Sequence, residues 1–568
     1  LDPMLSSRWV DPDIEEGGSR KRNILFRVLA RFNALFEWIS AEYRRIISWS
    51  LDHRKTVVSV GTAAFVSSFF LVPLIGSSFF PDYDRGEFQV NFTTSPDAGL
   101  DESRGRADLI LDVLRRIPGV ELTYTTIGAG ETGTVREGNV YVKLRDKSER
   151  ELTQQQAEAM ARDGVYRIPG IIPSIVMAGR MHGGSPIMMN LKGDDLAVLK
   201  SYSERLKKVM AEVPGVVDVQ SSLDQDKTEV RLQIDRARAV DVGLSSLEVV
   251  ETLGPLIGGK AASKYEDQDG DSYDVRVRLS DEFRRNYDQI GRLTLVSVKP
   301  DGSRALVPVS DIAKFELDLS PARIQRLDLR RQVTLSANNT GIALGDAINA
   351  IKEKVDTIGL PPGYKVSWSG EAEDMAETFR YMAEALALAV ILIYLILAAQ
   401  FESFVAPVSI MVALPLSLVG VVGMLYLTGD TLNIMSLIGL IMLMGLVTKN
   451  AILLVDFTKI LRVEGLNRKE ALVLAGQTRL RPIVMTTLAM IFGMLPLALA
   501  LGPGAEMRAP MARAVIGGLI TSTLLTLIMV PVVYTLLEDF IGWIGARVRG
   551  REKALSPETV PSSPGASR

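Results

Sequence analysis

Long apolar runs alternate with polar sequence and divide the chain into membrane-spanning and globular parts. Residues 57–75 carry no charge, and this length suffices for a helix that crosses a bilayer core of ~30 Å. No comparable run occurs between about residues 76 and 380. Five more follow, each long enough to span, and the pattern predicts a six-helix bundle with one large polar insertion. The five later runs are residues 383–400, 404–427, 432–457, 483–501 and 512–537.

Basic residues beside the runs predict which side each end occupies. Segment 1–56, the linker between the fourth and fifth runs and segment 538–568 are rich in Arg and Lys, which places them in the cytoplasm and the insertion outside. Residues 30–50 have helical spacing and fit a helix on the inner membrane surface or a plain linker helix. Residues 555–568 are rich in Pro and Ser, which is typical of a disordered tail.

The polar insertion contains a repeated pattern of strand, helix, Pro-Gly turn and strand. EFQVNFTTS and PGVELTYTTIG flank the first helix, SPIMMNLKG and PGVVDVQSS flank the second, and NVYVKL and TEVRLQI continue the two units. This β-α-β-β order predicts ferredoxin-like α+β subdomains. A third copy is split around residues 330–370. The predicted subdomains are 76–185, 186–235 with 321–372, and an insert at 236–320 that serves subunit contact or merely decorates the fold.

Composition excludes several classes of function. The chain has no cysteine and two histidines, which excludes disulfide scaffolds and thiolate metal sites and argues against a His-centred triad. Its 64 basic and 67 acidic residues give a net charge of −3, so there is no footprint of nucleic-acid binding. No cofactor and no metal are expected. The absence of cysteine fits a chain that has a large part in an oxidising compartment, where free thiols react.

Two ionisable residues interrupt the run at 432–457. A charge at bilayer depth costs ~2.5–3.5 kcal/mol on insertion scales, so it normally faces a partner or a wet cavity. Lys449 and Asp456 are seven apart and share a helix face; Asp456 fits the interface, and Lys449 is buried or snorkels. Arg479 and Thr486 share a face of the next helix, where Thr486 bonds a neighbouring helix or its own backbone.

Four segments resemble the C-terminal half of resistance-nodulation-division (RND) efflux pumps of the branch that exports hydrophobic and amphiphilic drugs. They are FFPDYDRGEF (79–88), AAQFESF (398–404), GLVTKNAILLVDF (445–457) and TRLRPIVMTTLA (478–489). LDPML (1–5) looks like the end of a preceding span, so the resemblance implies a missing N-terminal half that supplies six spans and an aspartate pair. The implied fold is a six-helix transmembrane bundle with a large α+β periplasmic domain.

The resemblance also implies functional residues. Lys449, Asn450, Arg479 and Thr486 match the proton relay of the family. Residues 126–135 match its glycine-rich switch loop, with Ala129 and Glu131 where drug pumps often have phenylalanines, and this departure favours a smaller or more polar amphiphile. Tyr124 and Tyr141 match aromatic pocket positions, or are ordinary strand aromatics.

Taken as a whole, the resemblance implies a proton antiporter, not an enzyme, in the inner membrane. Its partners would be the missing half, two further copies in a homotrimer, a periplasmic adaptor, an outer-membrane channel, the lipid bilayer and small amphiphilic substrates. Two alternatives stay open: a non-transporting scaffold or sensor, and a metal exporter of the same superfamily. Met177, Met181, Met188 and Met189 with His182 fit soft-metal binding, although methionine more often fills cores.

Overall fold

A computed structural model describes residues 24–81, 83–128, 134–178, 185–224, 226–284, 286–298, 302–321, 323–502 and 504–555. The described residues form two compact units. The membrane unit holds the described residues up to 85, with 339–353 and 369 onward. The outer unit holds those of 86–338 and 354–368.

The helices, in chain order, are α1 (Ile24–Asp52), α2 (Arg54–Ile75), α3 (Leu100–Leu114), α4 (Gln154–Val165), α5 (Leu196–Ala211), α6 (Arg236–Asp241), α7 (Ser246–Gly258), α8 (Asp281–Arg284), α9 (Tyr287–Gly291), α10 (Val309–Ile312), α11 (Leu344–Asp356), α12 (Glu371–Phe401), α13 (Ala406–Met411), α14 (Ala413–Thr428), α15 (Ile434–Val463), α16 (Arg468–Ala498) and α17 (Ala509–Leu555). The strands are β1 (Glu87–Thr94), β2 (Val120–Ile127), β3 (Glu137–Leu144), β4 (Ile171–Met177), β5 (Ile187–Gly193), β6 (Val216–Ser221), β7 (Asp226–Ile234), β8 (Lys260–Glu266), β9 (Ser272–Val277), β10 (Thr294–Val298), β11 (Arg304–Pro308), β12 (Ala313–Pro321), β13 (Gln325–Leu327), β14 (Arg330–Asn339) and β15 (Lys365–Ser369).

Six helices of the membrane unit are long and apolar enough to cross a bilayer, in agreement with the six predicted runs. They comprise α2, α12, α13 with α14, α15, α16 and the part of α17 up to Trp543. Several begin or end in polar turns that hydropathy alone does not include: α12 begins at Glu371 and α16 at Arg468, each more than three turns before the predicted span.

Helix α17 lies at the centre of the membrane unit. Its apolar window is 72% buried, against 6% for α12. Glycines let α14 approach α17 closely, since a Cβ on Gly420 would stand 2.1 Å from the carbonyl oxygen of Gly517. Small residues at a helix contact are a usual way to pack helices in a membrane, where lipid offers no hydrophobic driving force.

Helix α1 is amphipathic, as its spacing predicts. Phe36, Tyr43 and Ile47 are buried, while Trp38 and Trp49 are exposed. The Tyr43 hydroxyl donates a hydrogen bond of 2.8 Å to the Leu527 carbonyl. These contacts hold one face of α1 against the bundle.

The segment that leaves α2 is bonded to the start of α15. Ser77 and Leu432 form a parallel bridge. The Ser78 amide donates to the Leu432 carbonyl at 3.0 Å, and the Leu432 amide donates to the Gly76 carbonyl at 3.0 Å. We call this contact the exit joint, because the chain continues from it into β1.

The first sheet of the outer unit has the order β2-β3-β1-β4, and every neighbouring pair in it is antiparallel. The inward side chains of β1, which are Phe88, Val90 and Phe92, are fully or almost fully buried against α3 and α4. Their alternation with half-exposed residues is the period of two that half-buried strands show.

The second sheet has the order β13-β14-β5-β15, with β6 on β14. Helix α5 packs on β5 and β6 through the buried side chains Leu199, Leu206 and Met210. One prediction is wrong here: TEVRLQI forms β7, which pairs with β12 instead of joining this sheet. Nine residues of the long strand β12 pair in register with β7. The two strands are separated by roughly 80 residues of sequence, so the spacing of the repeat does not reveal their pairing.

Asp218 on β6 joins the two sheets at their edges. Its side chain is fully buried, and its carboxylate accepts hydrogen bonds from the Ile175 amide of β4 at 3.2 Å and from Nδ2 of Asn338 at 2.8 Å. Arg162 contacts it at 3.3 Å and the Tyr166 hydroxyl at 2.5 Å. We call this set the sheet seam.

The insert contains two hairpins, of which β10–β11 contributes Leu295 and Val307 to its core. Strands β8 and β9 pair with every residue exposed, and β10 pairs with β11. Residues 299–301, between β10 and β11, lie outside the described residues. Gly302 has a φ of 82°, a conformation that favours glycine.

Candidate functional site

Helix α15 presents the ionisable residues predicted for the relay. Its first turn is closed by a capping box, in which the Asn433 side chain accepts from the Ser436 amide and the Ser436 side chain accepts in return. Such a cap satisfies two of the amides that every helix start leaves unpaired. The apolar sequence that follows then carries Lys449 and Asn450 in the interior of a helix of 30 residues.

Lys449 and Asp456 lie on an exposed stripe of α15. Ile438, Met442 and Ile460 belong to the same stripe, at spacings of four and seven that keep residues on one helix face. Within the described residues, neither charged side chain has a hydrogen bond or ion pair. Burial of Lys449 is therefore not found in this chain, because the stripe faces away from the bundle.

Arg479 and Thr486 occupy different surroundings from Lys449. The guanidinium of Arg479 stacks over the Phe457 ring, with 4.4 Å from its central carbon to the ring centroid. Thr486 donates to the Ile483 carbonyl of its own helix at 3.0 Å, which resolves the two readings of its hydroxyl in favour of the backbone. Within the described part of the chain, no hydrogen bond or ion pair joins the predicted relay residues to one another.

Asn450 contacts two threonines that the sequence did not single out. Its Nδ2 lies 3.4 Å from Oγ1 of Thr487 and 3.4 Å from Oγ1 of Thr523, and the two hydroxyls are 3.2 Å apart. All three side chains are at least 93% buried. We call them the buried triad, which joins α15, α16 and α17. A signal was present in the sequence, since Thr487 follows Thr486 and Thr523 interrupts an apolar run.

A partly buried ion pair lies where α14 ends and α17 begins. Arg513 binds both oxygens of Asp430, at 2.8 and 2.9 Å, and its Nε donates to the Ala498 carbonyl at 2.9 Å. The pair borders a cavity of about 190 Å³ that Glu506 also lines. Asp430 lies just outside the predicted span, so the charge count within spans could not reveal this pair.

Tyr124 and Tyr141 are direct cross-strand partners on β2 and β3. Tyr124 is 64% exposed, and the Tyr141 hydroxyl donates to the Glu87 carboxylate at 2.6 Å. Cross-strand neighbours project from the same face of a sheet, so the two rings form one aromatic surface opposite α3 and α4. Ala129 and Glu131 lie outside the described residues.

Six apolar helices, an exposed lysine in the interior of one of them and an α+β unit inserted between the first two define a polytopic membrane protein of the transporter type. The family model AcrB/AcrD/AcrF matches residues 1–538. The chain therefore belongs to the AcrB/AcrD/AcrF family of RND efflux transporters, as the motifs predicted.

Individual relatives agree with this membership. Multidrug resistance protein MdtC of Edwardsiella ictaluri is 29% identical over 566 residues, which cover 98% of this chain and 53% of the relative. MdtC of Erwinia tasmaniensis is 28% identical, covering 95% and 52%. The crystal structure of a heavy metal efflux pump superposes with a TM-score of 0.78 at 27% identity, covering 89% of this chain and 52% of that one. The chain thus spans about half the length of the relatives it matches.

Proposed function

We propose that this chain is the C-terminal half of a proton-driven exporter of hydrophobic or amphiphilic compounds. The observation that carries the proposal is Lys449, a cation in the interior of the apolar helix α15 on a stripe that faces away from the bundle. A lysine at this depth is costly unless a partner or water receives it. A second half of the transporter, packed on the stripe, supplies that partner.

Proton coupling follows from the electrostatics of such a pair. A carboxylate of the missing half binds Lys449 strongly in a medium of low dielectric constant. Protonation of that carboxylate removes the attraction and favours a second arrangement of the helices. Asn450, Arg479 and Thr486 are proposed to set the surroundings of the lysine in the two arrangements. Arg479 supplies a further fixed charge on the neighbouring helix α16.

The assembly is proposed from family membership. The transporter lies in the inner membrane with the outer unit in the periplasm, as a homotrimer whose subunits pass in rotation through access, binding and extrusion. A periplasmic adaptor and an outer-membrane channel complete the export path. The strand order β2-β3-β1-β4 with two helices on one face supports a ferredoxin-like subdomain as the moving part.

Substrate contact is proposed for the aromatic surface of Tyr124 and Tyr141, with Ala129 and Glu131 of the adjoining loop. Exposed aromatic rings with a polar end bind amphiphiles through their apolar faces and their hydroxyls. The relatives named multidrug resistance protein support a broad range of organic substrates over a single one.

The relay role is tested in the full-length transporter, expressed in cells that lack their own efflux pumps. Lys449→Met is expected to lower protonophore-sensitive export of a fluorescent amphiphile by at least ~10-fold, because loss of one partner of a buried pair costs several kcal/mol. Lys55→Met is the matched control, since Lys55 is an exposed lysine in the first turn of α2. Undiminished export by Lys449→Met, at equal abundance in the membrane, contradicts the proposal.

Metal export is the second candidate, favoured by the likeness to the heavy metal efflux pump. Of the candidate ligands, Met189 is fully buried in the second sheet, while Met181 and His182 lie outside the described residues. The same cells distinguish the candidates: survival in copper or zinc salts that depends on the transporter, without export of amphiphiles, selects metal export.

A further inference from the structure

The buried triad leaves one side of an amide without a partner. Asn450 is 2% exposed, and its Oδ1 is buried with no hydrogen-bond donor among the described residues. An unpaired buried polar atom costs ~1–3 kcal/mol, so native proteins nearly always supply a partner. The deficit does not depend on which way the amide is drawn. If its oxygen faces the threonines, the nitrogen is left with two unpaired hydrogens.

A count of donors shows what is missing. The amide and the two hydroxyls offer four hydrogens, and the three contacts within the triad use three of them. Unlike Thr486, neither Thr487 nor Thr523 donates to a backbone carbonyl within the described part of the chain. One hydroxyl hydrogen and one amide oxygen are therefore left over. A single water molecule both donates and accepts, so it satisfies both groups.

The distances and the depth support the same occupant. Contacts of 3.2 to 3.4 Å lie at or beyond the long end of the range for hydrogen bonds, so the three side chains are not tightly bonded to one another. Ser522 and Thr526, whose hydroxyls are 3.3 Å apart, add buried polar groups on α17 beside Thr523. A water molecule needs two to four polar partners to be bound in an interior.

We propose that Asn450, Thr487 and Thr523 form a binding site for one structural water molecule between α15, α16 and α17. The site is built entirely by this chain and lies on a different face of α15 from Lys449. Asn450 also belongs to the proposed proton relay, but unfolding and a density map test the water site without measuring export.

The experiment uses the purified chain in lipid nanodiscs. Thermal unfolding is measured, and an experimental density map is determined at a resolution that shows ordered water. Asn450→Leu introduces an apolar side chain of similar size. A hydrated amide and a dry amide predict opposite changes in the unfolding midpoint of this variant. If the amide is hydrated, the substitution strands the water and lowers the unfolding midpoint by about 2 °C. If the amide is dry and unpaired, the substitution removes an unsatisfied group and raises the midpoint.

Thr523→Val tests the site should Asn450→Leu fail to fold, since it replaces a hydroxyl by a methyl of the same shape. The expected map shows a water peak within hydrogen-bond distance of Asn450 in the unmodified protein and none in Thr523→Val. Thr486→Val is the control, because Thr486 bonds only its own helix, and its map should keep the peak. A map of the unmodified protein without the peak, or a raised midpoint for Asn450→Leu, overturns the proposal.

Discussion

Asp218 combines two features that are each rare for a non-glycine residue. Its φ is 55°, in the left-handed region where Asp and Asn are the side chains best tolerated. Its carboxylate is fully buried and accepts four kinds of donor from α4, β4 and β14. Burial raises the pKa of the Tyr166 hydroxyl, and the hydrogen bond to Asp218 raises it further, so the hydroxyl stays a donor across the physiological range.

Asp218→Asn is expected to destabilise the outer unit by about 3 kcal/mol, because it leaves the charge of Arg162 without its buried partner. Asparagine also tolerates the left-handed backbone, so the substitution isolates the electrostatic effect. Chemical denaturation followed by the fluorescence of Trp368 measures the change.

The control for this substitution is Asp163→Asn, at the residue that follows Arg162 on α4. Asp163 pairs with Arg167, but both side chains are more than 70% exposed, and such pairs contribute less than ~1 kcal/mol. Equal effects of the two substitutions would show that the sheet seam is not held by the buried carboxylate.

At the scale of single residues, the sequence motifs predicted which positions matter better than they predicted which residues those positions contact. The KNAIL and RLRP motifs pointed to Lys449, Asn450, Arg479 and Thr486. On α16, however, Asn450 contacts Thr487, the residue after Thr486. A shift of one residue on a helix rotates the side chain by ~100°, and only the packing of α16 against α15 decides which hydroxyl faces inward. The Asp218 site was missed because its donors lie up to 120 residues away from it along the chain.

Close contact between α14 and α17 depends on Gly420 and Gly517. Gly420→Ala is expected to destabilise the membrane unit by about 1–3 kcal/mol, because the new methyl meets the backbone of α17 instead of a movable side chain. The midpoint of thermal unfolding in nanodiscs measures this.

Gly423 provides the comparison on the same helix. A Cβ added there meets nothing within 4 Å. Gly423→Ala should therefore leave stability unchanged or raise it by up to ~1 kcal/mol through better helix propensity. A loss as large as that of Gly420→Ala would mean that propensity or lipid contact, and not the helix contact, sets the effect.

Helix α7 begins with a capping box whose strength depends on pH. The Ser245 amide donates to Glu248 at 2.8 Å, and this bond, with a second from the Ser245 hydroxyl, lowers the pKa of Glu248. Since the pKa is lower in the folded state, the contribution is present above the unfolded value of ~4.3 and is lost as pH falls through the folded value.

We therefore expect the outer unit to lose some stability below about pH 4.3, and Glu248→Gln to lose less over the same interval. Thermal unfolding midpoints between pH 7 and pH 3 give the comparison. The opposite order, with Glu248→Gln more sensitive to acid, would exclude a lowered pKa at this cap. Ser245→Ala at pH 7 should cost ~1 kcal/mol, as for other helix caps.

For the molecule as a whole, the exposed stripe of α15 predicts a covered surface in the complete transporter. The chain has no cysteine, so a cysteine introduced at Met442 would be its sole thiol. A thiol reagent soluble in lipid should label Met442→Cys in this chain alone and fail to label it in the full-length protein. Phe70→Cys, on an exposed face of α2, serves as the control for access from lipid. Equal labelling of Met442→Cys in both forms would contradict the proposed packing.

Hydropathy predicted the six spans because each is a long local signal. It could not predict the break between α13 and α14, or the polar turns that open α12 and α16, since these depend on neighbouring helices. In the outer unit, the repeat predicted the local β-α-β order but assigned β7 to the wrong sheet. Pairing between β7 and β12 is set by distant sequence, on which a local pattern carries no information.

The exit joint links α15 to the chain that leads toward β1 through main-chain hydrogen bonds, together with one contact between the hydroxyls of Ser78 and Thr431. Every residue type except proline offers the same amide and carbonyl, so substitutions at Ser77 or Leu432 leave these main-chain bonds available. The exit joint therefore depends mainly on the path of the backbone. A search for functional positions by residue identity would pass over it, whereas a proline at residue 432 would remove the amide that bonds the Gly76 carbonyl.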